Sequence, residues 1–183
     1  MIGWIILGVV VLLVLFVISA YNGLVKLRNM VEEAFSTMDV YLKKRYDLIP
    51  NLVETVKGYA THEKDTLQAV IEARNSALTA STPEAKIEAE NGLSQVMGRL
   101  FALSESYPDL KANTNFIDLQ NQLKALETEI AQSRKYYNGI VRQFNTKLET
   151  FPTNLIANMF GFTRKPLFEV DNEVERQNVK VQF

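Results

Sequence analysis

The chain opens on an apolar run, IGWIILGVVVLLVLFVISA, from Ile2 to Ala20: nineteen residues with no charge and one hydroxyl. At about 1.5 Å per residue, a helix of that length matches a bilayer core of roughly 30 Å. Trp4 and Tyr21 stand near its two ends, where interfacial aromatics belong. A cleaved signal peptide would carry a basic leading segment and a small-x-small cleavage site. No basic side chain precedes the run, and Ile18 stands where a small residue is wanted. Residues 1–22 therefore read as an uncleaved transmembrane anchor.

Beyond it the apolar period becomes helical. Leu27, Val31, Ala34, Met38, Tyr41, Leu48 and Leu52 follow in steps of three and four that pass through Arg45. A second row, Phe35, Leu42, Ile49 and Val56, runs beside the first at heptad spacing. One helix is expected from the membrane to about Ala60, with a kink or break at Pro50. Thr61 reads as the N-cap of a second helix carrying Leu67, Val70, Ile71 and Leu78. In TASTPEAK, Ser81 or Thr82 caps and Pro83 opens a third helix with Leu93, Val96, Met97, Leu100 and Phe101. SYPDLKANTN closes it. A fourth then runs through Phe116, Leu119, Leu123, Leu126, Ile130, Ser133, Tyr137, Ile140 and Phe144, and TFPTN ends it.

The predicted fold is all-α: an antiparallel bundle of long helices over residues 23–150, continuous with the anchor. Helices one and four should reach about 55–60 Å, and the middle two about half that. The short pair can cover only part of the long pair. Where they stop, two helices alone would have to bury the wide face of the first, so Phe35 and Leu42 are expected to meet another copy of the chain.

Residues 151–183 differ in pattern. Phe151, Leu155, Ile156, Met159 and Phe160 share one helical face, which either lies at the bilayer surface or packs against the base of the bundle; the return of helix four toward the anchor favours the bilayer surface. Val179, Val181 and Phe183 alternate with polar residues in a short extended tail, the period of a half-buried strand; the tail either frays or docks on a neighbouring subunit, by strand pairing or by lodging Phe183 in a groove.

Charge and composition narrow the chemistry. Lys+Arg is 20 and Asp+Glu is 21, which gives no electrostatic case for nucleic acid. The absence of cysteine excludes disulfides, thiolate nucleophiles and Cys-based zinc sites. His62 is the chain's one histidine and reads as a polar residue in the first turn of helix two rather than a metal ligand. No phosphate loop, nucleophile elbow or metalloprotease motif is present, so no enzyme and no cofactor are predicted. Arg45 lies on the apolar seam, and Asp47, Asn51, Arg74 and Asn138 are candidates for a facing polar layer around the Pro50 bend. Such a layer most often fixes helix register. Lys26 and Arg28 follow the span, which places the body in the cytoplasm and the N-terminus outside.

The blocks KKRYDLIPNLVETVKGYATHE, EARNSA, KANTNFIDLQNQLKALETEIAQSRKYYNGIVRQFN and FPTNLIANMFGFTRKPLFEV, in that order, resemble the LemA family from about Val31 to Phe183. Arg45, Asp47, Leu48, Ile49, Pro50, Asn51 and Leu52 match its signature loop, and Tyr137, Asn138 and Phe144 its fourth-helix block. Phe35 and Lys44 stand where the family commonly has Trp and Arg. The resemblance implies a helical bundle with an N-terminal span in the bacterial cytoplasmic membrane. Family members are tied to magnetosome membranes, or to a membrane-bound heat-shock zinc metalloprotease. Two functions follow as expectations: a self-assembling, non-enzymatic scaffold on the lipid bilayer, or an adaptor for a membrane protease or envelope-stress system. A small-ligand receptor built on the Arg45 layer is a third.

Overall fold

The computed structural model describes residues 1–169. Six helices follow in order: α1 (Ile2–Lys57), α2 (Lys64–Thr79), α3 (Pro83–Ser104), α4 (Pro108–Lys111), α5 (Thr114–Glu149) and α6 (Thr153–Met159). The described residues contain no strand. Val170 and the tail residues Val179, Val181 and Phe183 lie outside them.

The helix boundaries follow local chemistry. Thr82 is the N-cap of α3, its hydroxyl accepting from the Ala85 N–H at 3.2 Å, with Pro83 in the first turn. The Asn113 side chain accepts from the Phe116 N–H at 3.0 Å and so caps α5. α2 begins later than expected. Its N-cap is Glu63, and Thr61 and the exposed His62 lie in the preceding turn. α1 does not break at Pro50 but continues to Lys57, so the residues resembling a signature loop are helical.

The chain divides into two compact units. The first comprises Met1–Tyr41 and Thr128–Leu167. Within it, residues 2–19 of α1 contain no buried residue, although this is the most apolar stretch in the chain. The core helix of a water-soluble domain would hide such a run. Here it is free to meet lipid, and its length suffices to cross a membrane. From Leu24 onward, α1 buries one stripe, Leu24, Val31, Ala34 and Met38, and α5 buries Ile130, Tyr137, Val141 and Phe144.

These two helix segments are not alone, as the sequence had suggested they would be. After α6 the chain turns back on Gly161, at φ +70°. The Phe162 N–H reaches the Ala157 carbonyl and the Gly161 N–H that of Asn158, a Schellman closure that requires the left-handed residue glycine supplies. The returning segment is then held on α5. Asn145 clasps the backbone of Lys165 with both amide atoms, each bond 2.9 Å, and the Tyr137 hydroxyl donates to the Pro166 carbonyl at 2.9 Å. Phe162 lies 6.4 Å from Phe144 and 5.8 Å from Tyr21, ring centre to ring centre. Phe35 is half-buried, its ring 5.7 Å from that of Tyr137.

Among the described residues, the second unit comprises Leu42–Glu127 with Phe168 and Glu169. The end of α1 packs there in a core with α2, α3 and the start of α5. Leu42, Ile49, Leu52 and Val56 are completely buried, as are Val70, Leu93 and Leu100. This corrects the expectation for Leu42. At 0% exposure inside its own chain, it has no surface to offer another copy.

Leu42→Ala is therefore expected to cost about 2–5 kcal/mol by leaving a cavity. Val40→Ala, two positions away on the exposed face, should change stability by less than about 0.5 kcal/mol. Unfolding followed by circular dichroism in detergent checks both.

Candidate functional site

Arg45 faces the interior of the second unit at 1% exposure. A guanidinium cannot be stripped of water without replacement partners, and two other helices supply them. Its Nη2 donates to Oε2 of Glu90 on α3, and its Nη1 donates to Oε1 of Glu127 on α5 at 2.5 Å. The Tyr46 hydroxyl donates to the other Glu90 oxygen, so both oxygens of that buried carboxylate are used. Lys86, also buried, sits 5.4 Å over the Tyr46 ring and donates to the Ala77 carbonyl of α2 at 3.1 Å. The network joins α1, α2, α3 and α5 around one cation. Burial works against the Arg45 charge, but the fields of Glu90 and Glu127 outweigh it and hold the pKa above the ordinary guanidinium value. A pKa raised by folding contributes stability in full below the unfolded value, and the contribution is lost only as pH climbs through the folded one. For arginine that window is strongly alkaline, so the contribution is constant around neutral pH.

Arg74 answers a different need. Pro50 has no N–H, so the carbonyl four residues earlier, that of Tyr46, lacks its helical donor. The Arg74 Nε donates to that carbonyl at 2.9 Å. The lost hydrogen bond of α1 is thus replaced from α2, and the helix continues through the proline.

Of the polar residues singled out from sequence, the structure brings Arg45 and Arg74 together at adjacent residues of α1. It does not bring in Asp47 or Asn51, both exposed, because two and six residues from Arg45 lie on the far side of a helix turning about 100° per residue. Pro50 is itself exposed, and Asn138 is half-buried in the first unit. Sequence reasoning missed Glu90, Lys86, Tyr46 and Glu127. A signal for the α3 pair was present: Lys86, Glu90, Leu93, Met97, Leu100 and Ser104 are all buried, in steps of four and three that carry the seam of α3 back into its charged beginning.

Chemically the arrangement is a closed latch. Both terminal guanidinium nitrogens of Arg45 and both oxygens of Glu90 are engaged, while the buried Arg45 Nε has no hydrogen-bond partner among the described residues. Among the described residues, no group of three or more His, Asp or Glu side chains is placed to hold a metal ion.

Fold and site together define a membrane-associated helical-bundle protein whose body is locked by a buried arginine. The signature of the LemA family matches residues 34–183, and the chain belongs to that family. It is similar to Protein LemA of Metamycoplasma hominis, 26% identical over 159 residues, covering 86% of this chain and 72% of that one. It is also similar to Magnetosome protein MamQ 2 of Paramagnetospirillum magneticum, at 24% over 186 residues, covering 87% and 68%. Magnetosome protein MamQ of Magnetospirillum gryphiswaldense is 24% identical over 174 residues, covering 81% and 64%.

Two expected outcomes follow from this geometry. Arg45→Ala strands a buried carboxylate and should cost about 3–5 kcal/mol, whereas Glu127→Ala, which removes a 51% exposed carboxylate and leaves Arg45 paired with Glu90, should cost less than that. Equal melting temperatures for the two variants would contradict the latch. Arg74→Ala should cost about 1–3 kcal/mol by leaving the Tyr46 carbonyl without a donor. In a Pro50→Ala background, which restores the helical N–H, most of that cost should vanish, and a double-mutant cycle reads the difference.

Proposed function

We propose that this protein is a membrane-anchored, non-enzymatic scaffold. It passes once through the bacterial cytoplasmic membrane, with its N-terminus outside and its body in the cytoplasm, and assembles with copies of itself. The observation that carries this reading is the unbroken course of α1, one helix that supplies first the apolar stretch and then core residues of both units. A helix shared in this way ties the body to the bilayer without a linker, which suits a protein that displays a surface at a membrane. The side chains that could do acid–base chemistry deep in the body, Glu90 and Lys86, are engaged in holding helices together.

Self-assembly is supported by an open groove on α5 of about 420 Å³, lined by Gln132, Lys135, Tyr136, Gly139, Ile140 and Gln143. Tyr136 is well exposed, and nothing crowds Gly139, so another helix can approach the backbone there. An apolar groove of this kind fits a second copy of the chain.

The chain has no cysteine, so single substitutions report cleanly. Tyr136→Cys in native membranes should form a disulfide-linked dimer on mild oxidation, and Leu78→Cys, exposed on α2, should not. The detergent-extracted particle should elute as many subunits rather than one. A monomeric particle with no cross-link at residue 136 would end the self-assembly reading. Leu78→Cys should react with an impermeant maleimide only after the cells are opened, and labelling of intact spheroplasts would reverse the orientation.

A further inference from the structure

The stretch from Thr150 to Thr163, TFPTNLIANMFGFT, contains no charged residue, and its middle is the short helix α6. Periodicity gives this segment a single apolar face, but the structure shows two. Ile156 and Ala157 are buried in the first unit, so Ile156 leaves the set expected at the bilayer surface. Phe151, Leu155 and Met159, at intervals of four, point outward at 75%, 56% and 68% exposure. Phe160 is half exposed, and its ring lies 4.8 Å from that of Tyr21, the aromatic that closes the apolar stretch of α1. The C-terminal end of α6 therefore meets the end of the apolar stretch of α1 through this ring contact. On the other side the charges begin at once: Arg28 stacks on Phe162, and Arg164 pairs with Glu149.

We propose that α6, with Phe151 before it, lies in the plane of the membrane interface beside the span, its Phe151–Leu155–Met159 stripe sunk among the acyl-chain ends of the lipid. The occupant is lipid because the stripe adjoins, through the Tyr21–Phe160 contact, a surface that is itself suited to lipid. The aromatics at the junction have the amphipathic character that favours headgroup level, and the flanking cations Arg28, Arg164 and Lys165 suit anionic headgroups. The Gly161 turn then carries the chain out of the interface and back along α5. A chain held by a span and by this second contact cannot swivel freely about the span axis, so its body presents a fixed side to the membrane plane. This inference rests on the membrane-spanning reading of α1.

The test uses the full chain, with its one tryptophan removed by Trp4→Phe, in vesicles of phosphatidylcholine and phosphatidylglycerol. Three single-tryptophan variants are compared: Leu12→Trp within the span, Leu155→Trp on α6, and Val40→Trp on the exposed face of α1, nineteen residues or roughly 28 Å beyond Tyr21. Leu12→Trp should be quenched best by lipids brominated deep in the acyl chain. Leu155→Trp should show blue-shifted emission, several-fold stronger quenching than Val40→Trp by lipids brominated near the headgroup, and protection from aqueous iodide. If Leu155→Trp matches Val40→Trp while Leu12→Trp is quenched, α6 stands in water and the proposal fails. Shielding of Leu155→Trp from both bromolipid and iodide would place protein on the stripe and also overturn it. An unquenched Leu12→Trp would instead refute the span itself, a separate result.

Discussion

The second unit depends on one buried charge. Arg45 cannot sit at the centre of a helical core unless carboxylates come to it, and Glu90 can come only if α3 stands at one height against α1. Glu90 then needs a donor for its second oxygen, which fixes Tyr46, and Lys86, one turn before Glu90 on α3, is drawn over the same ring. Leucines alone would bury as well at several registers, since helix seams repeat every three or four residues. The ion pair does not make the core more stable than good apolar packing would. What it can do is single out one alignment of α1, α3 and α5, the one in which Glu90 and Glu127 both reach Arg45.

Pro50 shows the same economy of parts. A proline in mid-helix would normally bend or end it, and the sequence alone argues for one or the other. The structure does not end the helix at Pro50, and the freed Tyr46 carbonyl is satisfied from Arg74. The residue that supplies the buried hydroxyl and the residue that receives the replacement bond are the same. The latch and the repair of α1 are therefore one polar cluster, and a change at either reaches the other through a single residue.

What the sequence made legible was whatever periodicity carries. The four long helices, the apolar anchor, the capped start of α3 and the burial of Arg45 all follow from spacing. The alternating row Phe116, Leu123, Ile130, Tyr137 and Phe144 on α5 is buried throughout, at the heptad interval the pattern announced. What spacing could not give was the partners. Glu90 and Glu127 look like surface glutamates in helices rich in them, and only their place on a seam sets them apart. Asp47 and Asn51 are near Arg45 in the chain, but on a helix that is a poor guide to proximity in space, and both are exposed. The chain's return after α6 was hidden for a different reason. It is an extended segment held by two backbone clasps, and backbone bonds leave little trace in side-chain pattern. Asn145 is the trace that exists: an amide on the buried face of a long helix has to bond something, and here it bonds a passing backbone.

α1 carries three surface patterns along its length. Over residues 2–19 it is apolar on all sides and buried on none, the state of a helix whose solvent is hydrocarbon. From Leu24 the burial contracts to a stripe, and charges appear on the other faces from Lys26 on, as a helix in water requires. At Arg45 a charge moves into the stripe. Each change sets what must pack against the helix next: lipid, then apolar side chains and the returning backbone, then ionised partners. Because no loop separates these zones, a helix of this pattern set in a bilayer could not slide without dragging Lys26 and Arg28 toward hydrocarbon in one direction or exposing the apolar run to water in the other.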